Sequence, residues 1–457
     1  MSAYVIDSEL FRDQFSTEAT RNIFSDRTTV QRWLDVEAAL AKVQGRMGII
    51  PQAAAEEIQS KAKAELIDLA ALKAEMDRTA HPIVPLLRAM KQLCAGDAGE
   101  YIHWGATTQD IMDTGTVLQV RDALDEIEVA LRTVHRNTVA LAAQHRDLIM
   151  VGRSHGQQAL PITFGFKAAT WAEEIRRNLE RLSQMRQRVL VGQFSGAVGT
   201  LAALGDQGVA VQEALFKELG LGCPVITWHV SRDGIAELAS VLAICAGTLG
   251  KIAHEVYSLQ KTEIGELEEP FAPGKVGSST MPHKRNPPAC ETVVALARIA
   301  RSTVPLAIEA IVTEHERDKM VLQTEREFIS RLCCVTDAAA KKMAFVTGNL
   351  SVRANNMEKN LYVQNGLLLS EAVMMKLSDT MGRQEAHEIV YRICMDVFER
   401  GGTLKDALLN DAQVQGRITE ADIDAMLDPH AYTGQAGVFV DRVVAAGTSP
   451  AGAAAAA

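Results

Sequence analysis

Five stretches constrain this chain more than any other feature. Residues 113–145, 164–190, 233–260, 288–315 and 325–350 are rich in Ala, Leu, Glu, Arg and Gln, which are strong helix formers. In the third, Ile235, Leu238, Val241, Leu242 and Cys245 recur at three- and four-residue steps. In the fourth, Val293, Leu296, Ile299, Val304, Ile308 and Ile311 do nearly the same. That spacing lays an apolar stripe along one helix face. A helix of about 28 residues is about 42 Å long at 1.5 Å per residue. Helices of that length do not close into a small compact domain, so their stripes must meet side by side in a bundle. Alternating β-branched runs of strand length are scarce. The expected fold is all-α, an elongated central bundle of long helices over 113–352. Smaller helical domains flank it at 1–112 and 353–457. Ile50-Pro51, His81-Pro82 and Arg400-Gly401-Gly402-Thr403 break the flanking regions into shorter helices. The last residues, Ser449-Pro450-Ala451-Gly452 and five alanines, are of low complexity and read as a frayed end.

The composition fits a soluble globular protein, with 47% hydrophobic and 23% charged residues among 457. Lys and Arg number 47 against 57 Asp and Glu, a formal charge of −10. A nucleic-acid partner would need a basic stripe, so none is expected. An anionic substrate stays possible, because a small site can be basic on an acidic protein. The seven cysteines are odd in number and form no CxxC. A disulfide framework is not expected, and buried thiols in a reducing cytoplasm are. The N-terminus lacks a basic segment followed by an apolar one. No apolar run approaches the 18 or so residues of a membrane span. The expected location is cytoplasmic, with no membrane partner.

Four polar segments punctuate the helices. Residues 274–287 carry Ser278, Ser279, His283, Lys284, Arg285 and Asn286 between glycines and prolines. Two cations near a serine can bind a carboxylate and depress the hydroxyl's pKa. A solvated turn between helices is the plainer alternative. Residues 152–165 carry Ser154 and His155 among hydroxyl and amide groups. A lone histidine is more often structural, but one at a bundle end is suited to proton transfer. Residues 103–110 place His103, Thr107, Thr108, Gln109 and Asp110 just before a long helix. Free N–H groups at a helix start favour anions, and Asp110 or a threonine is also a good N-cap. Thr313-Glu314-His315-Glu316-Arg317-Asp318 and Glu325-Arg326-Glu327 read either as a solvated helix end or as arginines placed to clamp a carboxylate. No GxGxxG, Walker loop or HExxH occurs, and His387-Glu388 lacks a second histidine at the required spacing. No metal and no cofactor are expected.

Gly277-Ser278-Ser279-Thr280-Met281-Pro282-His283-Lys284-Arg285-Asn286-Pro287 resembles the GSSxMPxKxNP motif of the fumarase/aspartase superfamily. With the His103 and His155 segments and the region from Asn365, the resemblance covers nearly the whole chain. The branch it is most similar to holds adenylosuccinate lyase and 3-carboxy-cis,cis-muconate cycloisomerase. Ile23-Phe24-Ser25-Asp26 and Trp33-Leu34-Asp35-Val36-Glu37 resemble the cycloisomerase. The resemblance implies a homotetramer whose sites are composed from different subunits. It also implies β-elimination of fumarate from a small dicarboxylate-bearing substrate through an aci-carboxylate carbanion. By the same resemblance, Ser278 is the base and Lys284 and Asn286 bind the succinyl carboxylate. His155 is the motif histidine, with Glu291 as its partner. Thr107, Thr108, Arg317 and Arg326 match carboxylate binders and arginines of the family. His103, Gln109 and Ser154 join them as substrate-binding candidates.

His81, in Thr79-Ala80-His81-Pro82-Ile83-Val84, resembles the histidine segment of adenylosuccinate lyase. Retention of His81, His155 and Glu291 favours a proton-abstracting lyase over a lactonising enzyme, and argues against a catalytically silent scaffold. Two departures disfavour a purine nucleotide. Trp228 stands at a glutamine position within Thr227-Trp228-His229-Val230-Ser231-Arg232-Asp233, and Asp318-Lys319-Met320-Val321 replaces a Ser-His-Ser-Ser stretch. The expectation is a carbon–nitrogen lyase that releases fumarate from an N-substituted aspartate, iminodisuccinate-like or adenylosuccinate-like. The alternatives are an epimerase using the same carbanion, and the cycloisomerase.

Overall fold

The computed structural model describes residues 3–271, 274 and 276–448. The low-complexity tail and Lys275 lie outside the described residues. The fold is all-α, 69% helical with 4% strand. The five long stretches become helices Thr108–Gln144, Phe164–Val189, Asp233–Leu259, Pro288–Glu309 and Lys319–Gly348. The first starts earlier than its apolar stripe because the Asp110 carboxylate reaches back to the Thr107 N–H at 3.0 Å, half of a capping box. The last starts at Lys319 because Asp318 accepts from the Met320 N–H at 2.8 Å. Residues 310–318 therefore form a connecting loop rather than the end of a helix.

Strands appear where none was expected. Ile149–Ser154 and Gln157–Thr163 form an antiparallel hairpin. Ser154 pairs with Gln157, which leaves His155 and Gly156 as a two-residue turn. Their φ angles are 51° and 77°, as a type I′ turn requires at both central positions. Pro161 and the polar residues around it hide the strand pattern in the sequence. A second, two-residue pairing joins Leu267–Glu268 to Ser351–Val352.

The chain packs as two compact units. Unit one comprises Met1–Leu131, Asn178–Gly250 and Thr292–Lys342; unit two comprises Arg132–Arg177, Lys251–Glu291 and Met343–Ala457. The units interleave in sequence, so neither coincides with a contiguous block such as 1–112, 113–352 or 353–457. Unit one buries, among others, Val30, Leu34, Leu86 and Met90 in one cluster and Leu40, Phe194, Leu215 and Phe216 in another. Unit two has a cluster around Val373, Leu377, Ile389, Ile393, Leu404 and Ile423.

Helix Asp233–Leu259 corrects one expectation. By length and composition it is apolar enough to cross a membrane. Leu238, Leu242, Cys245, Leu249 and Ile252 on it are all buried at 1% exposure or less, as in the core helix of a bundle. Cys245, Cys290, Cys333 and Cys334 are buried and in no disulfide, whereas Cys223 is exposed. Burial pushes the Cys245 thiol up to about 12. Among the described residues, no group of three or more His, Cys, Asp or Glu is arranged to hold a metal ion.

Candidate active site

Unit one gathers His81, Thr108, Gln109, Arg317 and Arg326 around one cavity of about 500 Å³. His81 stands before helix Ile83–Leu93, and its Nδ1 accepts the Val84 N–H at 3.1 Å. Its proton therefore sits on Nε2, which lies 3.3 Å from the Thr108 hydroxyl. Burial, then the positive charges of Lys319 and His103, lower the His81 pKa. His81 is thus a neutral imidazole whose N–H faces the Thr108 hydroxyl. Arg317 Nη1 donates to the Thr107 hydroxyl at 2.9 Å and Nη2 to the Ala197 carbonyl at 2.6 Å. Arg326 donates to Gln323 Oε1 at 2.6 Å and touches Met112 Sδ at 3.6 Å. Lys319 lines the same wall. Among the described residues, none of these three cations has a carboxylate in ion-pair range, although most other arginines and lysines of unit one do. An acidic protein that leaves three cations unpaired in one cavity has a place for an anionic ligand. Met76, Met112 and Leu322 supply the apolar part of the lining.

Two expected residues are engaged differently. The Gln109 amide is buried and donates to Asp113 Oδ2 at 3.0 Å and to the His229 carbonyl at 2.8 Å. It holds the helix start in place, and only its Oε1 is left without a partner. His103 does not line the cavity. Its Nδ1 lies 2.6 Å from Glu37 Oε1, and Glu37 is 2% exposed. Burial alone would lower the His103 pKa, but the Glu37 carboxylate outweighs it and raises it.

Unit two holds the remaining expected residues. His155 occupies the hairpin turn described above, beside Ser154. The strand just before the turn is fixed by Arg153, which makes a two-pronged ion pair with buried Glu266 at 2.8 and 2.7 Å. Asn360 adds a bond to the same carboxylate at 2.8 Å. Ser278 lies on the polar loop, where its Oγ accepts backbone N–H bonds from Met281 at 3.0 Å and Thr280 at 3.3 Å. Two N–H groups aimed at one hydroxyl oxygen stabilise its alkoxide. Asn286 Nδ2 donates to the Gly277 carbonyl at 2.8 Å and closes the loop on itself. Gly277 is required there, since a Cβ would lie 1.9 Å from the Lys284 carbonyl oxygen. Lys284 is exposed, with no carboxylate partner among the described residues. Glu291 opens helix Pro288–Glu309, and its side chain makes no hydrogen bond or ion pair with His155 in this chain. The carboxylate that does cap this helix is buried Glu269, which accepts from the Cys290 N–H at 2.9 Å.

Several functional candidates escaped sequence reasoning. Arg232 is buried between Asp113 and Glu325, with bonds at 2.9 and 2.8 Å. Its guanidinium lies over the Trp228 ring, 4.8 Å from the centroid. Burial pushes the Glu325 carboxyl up despite Arg232. Asp110 and His229 form a second buried pair at 2.8 Å. Only Asp110 carried a signal, as an N-cap. The others lie far apart in sequence and meet only on folding.

A family profile described as "Lyase" matches residues 12–301, and one described as "Adenylosuccinate lyase C-terminus" matches 366–443. The chain is 42% identical to N-acetyl-S-(2-succino)cysteine lyase of Enterococcus italicus, over 98% of each chain. It is 40% identical to adenylosuccinate lyase of Methanocaldococcus jannaschii, over 94% of each. The crystal structure of 3-carboxy-cis,cis-muconate lactonizing enzyme from Pseudomonas putida superposes with a TM-score of 0.90 at 39% identity. That match covers 96% of this chain and 98% of the other. The motif loop, the all-α fold and these matches agree: the chain belongs to the fumarase/aspartase superfamily, in the branch that holds adenylosuccinate lyase and 3-carboxy-cis,cis-muconate cycloisomerase.

Proposed function

We propose that this protein eliminates fumarate from a succinate substituted at C2 through a heteroatom, an N-substituted aspartate in the first instance. One observation carries the reading: His81, Thr108, Arg317, Lys319 and Arg326 line one cavity, and among the described residues these three cations lack carboxylate partners, while a fourth, Lys73, is paired with Asp77. A succinyl carboxylate placed on Arg317 and Thr107 puts the leaving group toward Arg326, Met76, Met112 and Leu322. Those side chains suit a compact, partly apolar leaving group better than a purine nucleotide.

The chemistry needs a base, because a C–H beside a carboxylate is very weakly acidic. Ser278, as alkoxide held by the Met281 and Thr280 N–H groups, takes the C3 proton. The electron pair moves into the adjacent carboxylate and forms the aci-carboxylate dianion, which cations and donors stabilise. The dianion collapses, C2 and C3 become doubly bonded, and the bond from C2 to the heteroatom breaks. The leaving group departs with that electron pair and takes a proton from a histidine. His155 and His81 are the two candidates, and His81 lines the cavity. In this reading Ser278, Lys284, Asn286 and His155 reach the cavity from other copies of a homotetramer in the cytoplasm. Membership of the superfamily supports that arrangement.

A second reading replaces nitrogen by sulfur. It is supported by relatives at 42% and 41% identity that are N-acetyl-S-(2-succino)cysteine lyases, and by the thioether-lined wall of Met76 and Met112. The test is to compare kcat/KM for iminodisuccinate and for N-acetyl-S-(2-succino)cysteine, following fumarate. A preference of tenfold or more assigns the leaving atom. Turnover of carboxymuconate alone would overturn both readings.

A further inference from the structure

We propose that Asp110 is a positioning residue that aims Arg317 from behind the cavity. The inference rests on the reading that Arg317 receives a substrate carboxylate. Arg317 touches the protein at two points, the Thr107 hydroxyl and the Ala197 carbonyl. These points lie on separate segments, and both segments are tied to the same carboxylate. Asp110 Oδ2 accepts the Thr107 N–H at 3.0 Å and the Gly196 N–H at 2.9 Å. Asp110 Oδ1 accepts the Ser195 N–H at 3.0 Å and His229 Nε2–H at 2.8 Å.

Helix capping explains only the first of these four bonds. The other three run to residues 85, 86 and 119 positions away, so they serve the relation between segments rather than the helix end. A guanidinium is a rigid planar fork, and its direction follows from where its anchors stand. Here one oxygen, Oδ2, joins the Thr107 segment to the Ala197 segment, and Oδ1 adds a second tie to the latter through Ser195. Asp110 is fully buried, and His229 is 3% exposed. The second ring nitrogen of His229 has no partner among the described residues, so Asp110 is the one polar group that its ring serves. His229 thereby holds the carboxylate's own orientation.

The test uses the full-length protein, with fumarate as the binding probe in titration calorimetry. Asp110→Asn keeps the shape but turns an N–H donor toward N–H donors. Fumarate should bind at least tenfold more weakly, KM should rise more than kcat falls, and melting of the remaining fold should stay cooperative. The loss should not add to that of Arg317→Ala: the double variant should bind fumarate within about twofold of Arg317→Ala alone. Additive losses, or unchanged fumarate affinity with a lowered Tm, would overturn the proposal by making Asp110 purely structural. Should Asp110→Asn not fold, His229→Gln carries the same cycle, since it disturbs one of the carboxylate's bonds and leaves those to Thr107, Ser195, Gly196 and Gln193 in place. If the wild-type protein neither binds nor releases fumarate, the function reading fails separately. The Arg317 guanidinium resonance then decides the positioning claim: it should shift or broaden in His229→Gln, and an unchanged resonance would refute it.

Discussion

Replacing Arg317 by alanine is the most informative perturbation of the cavity. The side chain is exposed and donates only to a hydroxyl and a backbone carbonyl. A hydrogen bond from a charged group contributes about 1.5–3 kcal/mol. At about 1.4 kcal/mol per tenfold change, losing one charged contact to a fumarate carboxylate weakens binding about 10- to 150-fold. The fold should barely notice, because surface substitutions away from buried partners cost about 0.5 kcal/mol. The assay is calorimetric titration with fumarate beside thermal unfolding in the same buffer. Arg317→Lys keeps the charge but loses the fork, so it should fall between alanine and wild type. Fumarate affinity within twofold of wild type in the alanine variant would show that the unpaired cation is not the carboxylate site.

Three other expectations test different parts of the account. Ser278→Ala should cut kcat about 10²- to 10⁴-fold, the range for removing a general base, while Tm and the mass of the assembly stay the same; normal turnover would remove serine from the base role. His81 has its pKa lowered from 6.5, so it stays neutral at pH 6.5 and protonates only at more acid pH. The acid limb of kcat/KM should therefore lie below pH 6.5 and change shape in His81→Gln; an unchanged limb would assign it to another group. His103 has its pKa raised above 6.5 by Glu37, so its stabilising contribution is full below 6.5 and is lost as pH rises through the raised value. The Tm gap between wild type and His103→Gln should shrink as pH rises above 6.5, and a gap that widens would contradict the pairing.

The long helices were legible because an apolar stripe repeats over many turns and each helix buries it locally. Their ends moved where one carboxylate intervened, at Asp110 and at Asp318. The hairpin that carries His155 was not legible: its strands are short, Pro161 interrupts one, and the turn depends on two left-handed residues. The Ser278 loop stood out by its motif. Thr107, Thr108 and the arginines stood out by residue type. The hidden layer behind them did not, because Arg232 with Asp113 and Glu325, and Asp110 with His229, are pairings across 85 or more positions. Sequence order carries no trace of such contacts. Gln109 and His103 suit a ligand by residue type, and the fold adds what residue type does not tell, that each is also engaged by a carboxylate, Asp113 and Glu37.

The most direct test of the central claim is proton NMR of the purified protein with iminodisuccinate, and separately with N-acetyl-S-(2-succino)cysteine, in deuterated water. The method sees product formation, exchange at C3 and inversion at C2 together. Elimination predicts the vinyl signal of fumarate from at least one of the two, in step with loss of the substrate. Inversion at C2 without fumarate, or no change in either substrate, would contradict the account.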